Sequence, residues 1–179
     1  MDNDAVWQIN RLGRLTSLVV ADTNITGKGL IQLDRLRQLE VLDASQLKEI
    51  PVVLRVLRGS RALTDLSLDD CSLTDADLQD ISHMRSLTSL NLNHSPISNT
   101  SLKRLSALTE LQSLGLSGKY VQAESIDVLQ SFKKLKKLRI DLIDWTPADR
   151  LRLQQALPAN CEIIDGSKHA SLQSFLTDK

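Results

Sequence analysis

LTSLNLNHSPISNTSLKRLSALTE, residues 87–110, holds one complete unit of a pattern that fills most of the chain. Leu87, Leu90 and Leu92 open the unit, Ser95 and Ile97 follow, and Leu102, Leu105 and Leu108 close it. Moving 24 residues in either direction finds the same pattern again, with full units starting at Leu15, Leu39, Leu63, Leu87, Leu111 and Leu135. Val6, Ile9 and Leu12 align on Leu30, Leu33 and Leu36, so the chain opens with the helical half of a unit. A last half-unit places Glu162 and Ile164 at the strand positions. An unbroken period of this length is the signature of stacked repeats.

Each unit reads in two parts. Apolar residues at its first, fourth and sixth positions include a period-two step, which suits a short strand. Apolar residues at positions 16, 19 and 22, as in Leu78, Ile81 and Met84, wind into a helix. Position 12 is Thr26, Thr74, Ser98 and Thr146 in four units, where a hydroxyl can cap the helix that follows. Thr74 with Asp77, and Thr146 with Asp149, have the spacing of capping boxes. Pro147 falls in the first helical turn, where its missing amide costs little. The second unit departs from the pattern: Ile50 and Pro51 shift its phase and Ser60 replaces a helical Leu, so an extended or 3₁₀ outer segment is expected there. Trp145 is expected to plug the C-terminal end of the core.

The pattern LxxLxLxx(N/C/T)xI followed by a helical half resembles the leucine-rich repeat family. The forms TNITGKGL and CSLTDADL look most like its intracellular 24-residue subtype, seen in bacterial repeat proteins and F-box-type repeats. The resemblance runs from Val6 to about Gly166. It implies an α/β fold, a right-handed leucine-rich repeat solenoid with parallel strands on the concave face and short helices on the convex face. The chain then divides into a repeat domain, 1–166, and a C-terminal tail, 167–179. The domain comprises a half-unit 1–14, six units across 15–158 and a final strand 159–166. For the tail, with Ala170, Leu172, Phe175 and Leu176, a short helix over the last strand and a disordered stub both stay open. The ninth position, where the family places Asn, Cys or Thr to tie one turn to the next, is Thr23, Leu47, Cys71, Ser95, Lys119 and Ile143, so Leu47, Lys119 and Ile143 break that ladder.

The bulk properties narrow the function classes. Lys plus Arg and Asp plus Glu are both 22, so net charge gives no reason to expect nucleic acid or an anionic membrane, and contact with either would need a local patch. The N-terminus lacks the basic and apolar regions of a signal peptide, and no run of about 18 apolar residues is present. Cys71 and Cys161 lie four strands apart, roughly 19 Å at the strand spacing, too far for a disulfide. A reducing, cytoplasmic setting is therefore expected.

Strand alternation assigns the side chains that leave the concave face. The third positions are Ser17, Val41, Asp65, Ser89, Ser113, Lys137 and Cys161. The fifth are Val19, Asp43, Ser67, Asn91, Gly115, Arg139 and Ile163, and the seventh include Ser45, Asp69, Asn93, Ser117, Asp141 and Asp165. Asp70 and His94 follow at the eighth. The face is graded: Asp43, Asp65, Asp69 and Asp70 at one end, Ser89, Asn91, Asn93, Ser113 and Ser117 at its centre, Lys136, Lys137 and Arg139 at the other. The candidate partner-binding set is Asp43, Asp65, Ser67, Asp69, Asp70, Ser89, Asn91, Asn93, His94, Lys137 and Arg139. A charge-complementary protein partner is one reading and a solvated surface the other.

Chemistry has little to stand on. The aspartates lie on strands rather than in a calcium loop, His94 beside Asp69 or Asp70 is a thin basis for acid–base catalysis, and no Ser-His-Asp, HExxH, Walker or dinucleotide motif occurs. No metal, cofactor or catalytic residue is therefore expected. The reading is a monomeric, non-enzymatic protein-interaction module using the concave face. Its rivals are a targeting module of a larger enzyme, of kinase or ubiquitin-ligase type, and a structural repeat protein that self-associates edge to edge.

Overall fold

The computed structural model describes residues 1–117 and 120–168, and the tail expectations, with His169, lie outside them. Seven strands form one parallel sheet in chain order: β1 (Ser17–Val19), β2 (Val41–Asp43), β3 (Asp65–Ser67), β4 (Ser89–Leu92), β5 (Ser113–Leu116), β6 (Lys137–Ile140) and β7 (Glu162–Asp165). Between β1 and β6 each residue pairs with the one 24 positions on, as in Leu42 with Leu66 and Leu66 with Leu90. The ladder also runs into the preceding turns, where the Thr64, Thr88, Gln112 and Lys136 amides donate to carbonyls one unit back at 2.7–2.8 Å.

The sheet forms because no single unit can bury its own apolar side. Leu42, Leu66, Leu90, Leu114 and Leu138 stack at the fourth position, all at 2% exposure or less, and Leu68, Leu92, Leu116 and Ile140 stack at the sixth. Each such side chain contributes roughly 1.5–3 kcal/mol through burial. The outer layer is made of short helices: α1 (Val6–Ile9), α2 (Gly27–Leu30), α3 (Ile50–Leu57), α4 (Leu78–Ile81), α5 (Asn99–Leu102), α6 (Ile126–Leu129) and α7 (Pro147–Ala156). Thr26, Ser98 and Thr146 accept from the amides of Gly29, Ser101 and Asp149, as position 12 leads one to expect. At Thr74 only the reciprocal half of the box forms: the Asp77 carboxylate accepts the Thr74 amide at 2.9 Å and its hydroxyl at 2.7 Å. Trp145 is the expected plug, buried and donating its indole N–H to the Val121 carbonyl at 3.3 Å. No helix among the described residues is long and apolar enough to cross a membrane.

Three expectations are corrected. The second unit is not extended or 3₁₀: α3 is an eight-residue α-helix that buries Ile50, Val53, Leu54 and Leu57. That i, i+3, i+4, i+7 stripe outweighs the phase shift, Pro51 enters in the tolerated first turn, and Glu49 turns the chain in with φ 62°. Ser60 fits because its hydroxyl donates to the Arg37 carbonyl at 3.1 Å and accepts the Leu63 amide at 3.4 Å. Secondly, Leu12 is 56% exposed, although Val6 of the same stripe is buried.

The third correction concerns β7. Leu138 pairs with Ile163 and Ile140 with Asp165, so the last interval is 25 residues. One extra residue after the ten-residue α7 exchanges the two faces of the strand. Glu162 and Ile164 therefore continue the outward columns. Cys161, Ile163 and Asp165 leave the concave set, and Asp165 occupies the column of Leu68, Leu92, Leu116 and Ile140. Its carboxylate is held there by the Leu142 amide (3.2 Å), the Ser167 amide and hydroxyl (3.1 and 2.6 Å) and the Arg150 guanidinium (3.6 Å). Arg150 also donates to the Leu142 and Trp145 carbonyls, which fastens α7 to the end of the sheet.

Candidate interaction face

The register brings the third and fifth columns together for six strands as the alternation requires. Ser17, Val41, Asp65, Ser89, Ser113 and Lys137 align, as do Val19, Asp43, Ser67, Asn91, Gly115 and Arg139. What the alternation does not reveal is how tightly the middle of this face is tied to itself. Asp43 Oδ1 accepts the Ser45 amide at 3.0 Å and its hydroxyl at 2.6 Å. Ser45 Oγ lies 2.9 Å from Ser67 Oγ and accepts the Asp69 amide at 3.2 Å. Asn91 Nδ2 donates to Ser67 Oγ at 3.2 Å, and Asn91 Oδ1 accepts the Asn93 amide at 3.1 Å. The chain of bonds spans β2, β3 and β4, and Asp43, Ser67, Asp69, Asn91 and Asn93 are all at least nine-tenths buried.

The acidic end is correspondingly less acidic to an incoming partner than its sequence suggests. Asp69 is 4% exposed and accepts from His94 Nδ1 at 2.7 Å, and Asp65 accepts the Thr64 hydroxyl at 2.7 Å. Asp70 remains exposed, with φ 54°. It belongs to a column: Asp22, Gln46, Asp70 and His94, each 24 residues apart, all have φ between 52° and 64°. Asp and His tolerate this left-handed backbone better than most residues, so the eighth position is selected by the turn as well as by any partner. Ser45 is the residue that sequence reasoning undervalued; it sits at a seventh position, and only the side chains around it make it a hub.

Gly115 has a steric reason. A Cβ there would lie 2.8 Å from Asn91 Oδ1 and 3.1 Å from Asn93 Nδ2. The two amides lean into the space a side chain would fill, leaving a polar notch on β5. Lys137 and Arg139 sit beyond it on β6, two strands from the His94–Asp69 pair, so the opposite charges of the set are not brought into contact. Of the neighbouring lysines, Lys134 pairs with Glu110 at 2.6 Å.

The chemistry available is that of hydrogen bonding. Ser45 donates to Asp43, while His94 is engaged with Asp69, so the hydroxyl and the imidazole are not arranged as nucleophile and base. Among the described residues no group of three or more His, Cys, Asp or Glu could hold a metal ion. Both cysteines are free. Burial pushes the Cys71 thiol up to about 12, and its Sγ–H donates to the Ala44 carbonyl at 3.1 Å, tying one turn to the previous one. Cys161 is also raised, by burial first and then by the charge of Glu162. Neither is a thiolate at neutral pH.

A parallel sheet built one short strand per 24-residue unit, with a helix returning each time, defines a repeat solenoid. Residues 83–106, one unit of it, match the family model described as Leucine Rich repeat. The other units repeat that one in register, so the fold is an α/β leucine-rich repeat solenoid. No curated protein matches. Among the solved structures it is similar to an internalin (inlF) from Listeria monocytogenes, with 18% identity and a TM-score of 0.49 over 92% of this chain. The chain spans 50% of the length of that internalin.

Proposed function

We propose that this chain binds a protein partner through its concave strand face, without catalysis, in the reducing cytoplasm. The observation that carries this is the hydrogen-bonded row from Asp43 to Asn93, a mostly buried polar floor fixed across three strands beside the more open Asp65, Asp70, Ser89 and His94 before any partner arrives. Pre-organised groups lose little freedom on binding, which is what makes such a face effective. The partner presents donors to the exposed Asp70 and the half-buried Asp65, and meets Ser89, the Gly115 notch and the His94 edge at the centre. Lys137 and Arg139 set its orientation from the far end, since rim charges govern direction and association rate more than affinity. The free thiols fit a reducing compartment.

The test is capture of a partner from lysate, confirmed with the purified pair, for the wild type and an Asp65→Ser, Asp70→Asn variant. These two positions are chosen because Asp43 and Asp69 hold the turns together, so changing them perturbs the fold as well as the face. Loss of at least about tenfold in affinity, roughly 1.4 kcal/mol, is the expected result. A partner bound equally by both proteins would move the site off this face.

A further inference from the structure

The charges of this chain are sorted by edge. The turns that lead from each helix into the next strand, residues 10–16, 34–40, 58–64, 82–88, 106–112 and 130–136, carry ten Lys and Arg against three Asp and Glu. The turns that lead out of each strand, residues 21–29, 45–53, 69–77, 93–101, 117–125 and 141–149, carry ten Asp and Glu against three Lys. Because the sheet is parallel, the described residues of the first turns fall on one long edge of the solenoid and those of the second on the other. The zero net charge conceals two edges of equal and opposite sign.

The basic edge has a regular column. Arg37, Arg61, Arg85 and Lys133 occupy the same position of their units, and all are exposed. Arg61, Arg85 and Lys133 form no ion pair among the described residues. Helix dipoles favour cations within a helix's last turn, but α4 and α6 have no basic residue there; the cations stand beyond them, in the turns. Successive units repeat at about the strand spacing, roughly 4.8 Å, so the column is a ladder of positive charge along the edge.

We propose that the basic edge docks on the acidic edge of a second copy of this chain. The second copy is the one surface in hand that offers the complement: the same excess of charge, opposite in sign, at the same repeat along an edge of the same length. Copies with no net charge also lack the overall repulsion that would oppose their approach. A two-fold axis parallel to the solenoid axis joins both pairs of edges in a closed dimer, whereas a simple translation leaves one edge of each kind free and propagates. The contact lies on the turns beside the concave columns; Asp70, which borders both, is left unchanged in the test so that the result reads on the edges alone.

Light-scattering mass on the whole chain tests this. In about 20 mM salt, where the screening length is long, the wild type associates; in about 0.5 M salt it returns to the 19.9 kDa monomer. Arg37→Glu, Arg61→Glu, Arg85→Glu leaves the basic edge with almost no excess charge. Glu124→Lys, Asp144→Lys weakens the acidic edge. Each variant alone, folded by circular dichroism, stays monomeric in low salt. Mixing them restores the higher mass, a recovery that loss of folding cannot mimic. A wild type that is monomeric at high concentration in low salt overturns the proposal. So does association that survives 0.5 M salt and both variants, which would place the contact on apolar surface near β1. A mass increase removed by nuclease would assign the basic edge to nucleic acid and overturn it equally.

Discussion

Gly27→Ala is the substitution that most directly tests how the units are held together. Gly27 is the first residue of α2, and its amide donates to the Lys48 carbonyl at 2.8 Å. A Cβ there would stand 2.0 Å from the Glu49 carbonyl oxygen, 2.6 Å from its carbon and 3.1 Å from Val52 Cγ2. The first two atoms are backbone at the entry to α3, whose left-handed Glu49 has little freedom to move. Overpacking of this type costs roughly 1–3 kcal/mol, and contact with fixed backbone puts it at the upper end. Alanine's better helix propensity returns at most about 1 kcal/mol. The net loss is then about 2 kcal/mol, or roughly 4–8 °C in melting temperature for a chain of this size. Gly29→Ala supplies the control. Its Cβ would lie 2.0 Å from Asn3 Oδ1, the end of a side chain that can swing away, giving up its bond to the Thr26 amide at 2.9 Å. That bond is worth about 1 kcal/mol and the helix gain offsets it, so the variant melts close to the wild type. Thermal melts followed by circular dichroism compare the three proteins. If Gly27→Ala is no less stable than Gly29→Ala, close backbone approach between α2 and α3 is not what glycine provides.

Two further outcomes follow from ionisable groups. Asp75 accepts the Ser98 amide at 2.9 Å and its hydroxyl at 2.8 Å, and these bonds hold its carboxyl below the usual value, the amide contributing most. A depressed carboxyl adds stability above its unfolded pKa of about 3.9 and loses it as pH falls through the lower folded value. Asp75→Ala should therefore melt below the wild type at pH 7 by an amount that shrinks at pH 3, and a difference independent of pH would refute the assignment. The two thiols should separate in a labelling experiment at pH 8. Cys161, only partly buried, reacts with an aromatic disulfide reagent in the folded protein, while Cys71 reacts only after denaturation; two equally fast equivalents would contradict the burial of Cys71.

The fold was legible in the sequence because apolar spacing is imposed by the core. Leu87, Leu90 and Leu92 must point inward together, and the pattern that places them is the pattern that stacks them. The misreadings share one cause, the use of a fixed template where local packing had another solution. In the second unit the template looked for Leu at position 22, found Ser60, and overlooked the helical stripe from Ile50 to Leu57. The candidate face was legible as a set of columns and illegible as a surface. That Asp43 and Asp69 are buried and engaged depends on Ser45 and His94, and no spacing rule reports which of several polar neighbours a carboxylate will choose.

The end of the sheet shows what a single residue decides in such a fold. Up to β6 the period is 24 and each inward position is apolar. The longer α7 adds one residue to the return, and Asp165 arrives where β6 has Ile140. A carboxylate at that depth would cost several kcal/mol if it were alone. It is instead met by Arg150, which α7 itself supplies, and by the amides of Leu142 and Ser167. Extra residue, acidic side chain and compensating arginine thus form one feature, in which the irregular helix brings the cation that its own irregularity makes necessary. A strand continuing the 24-residue period would need an apolar residue at that position, so the last interval finishes the leucine ladder with a polar clasp.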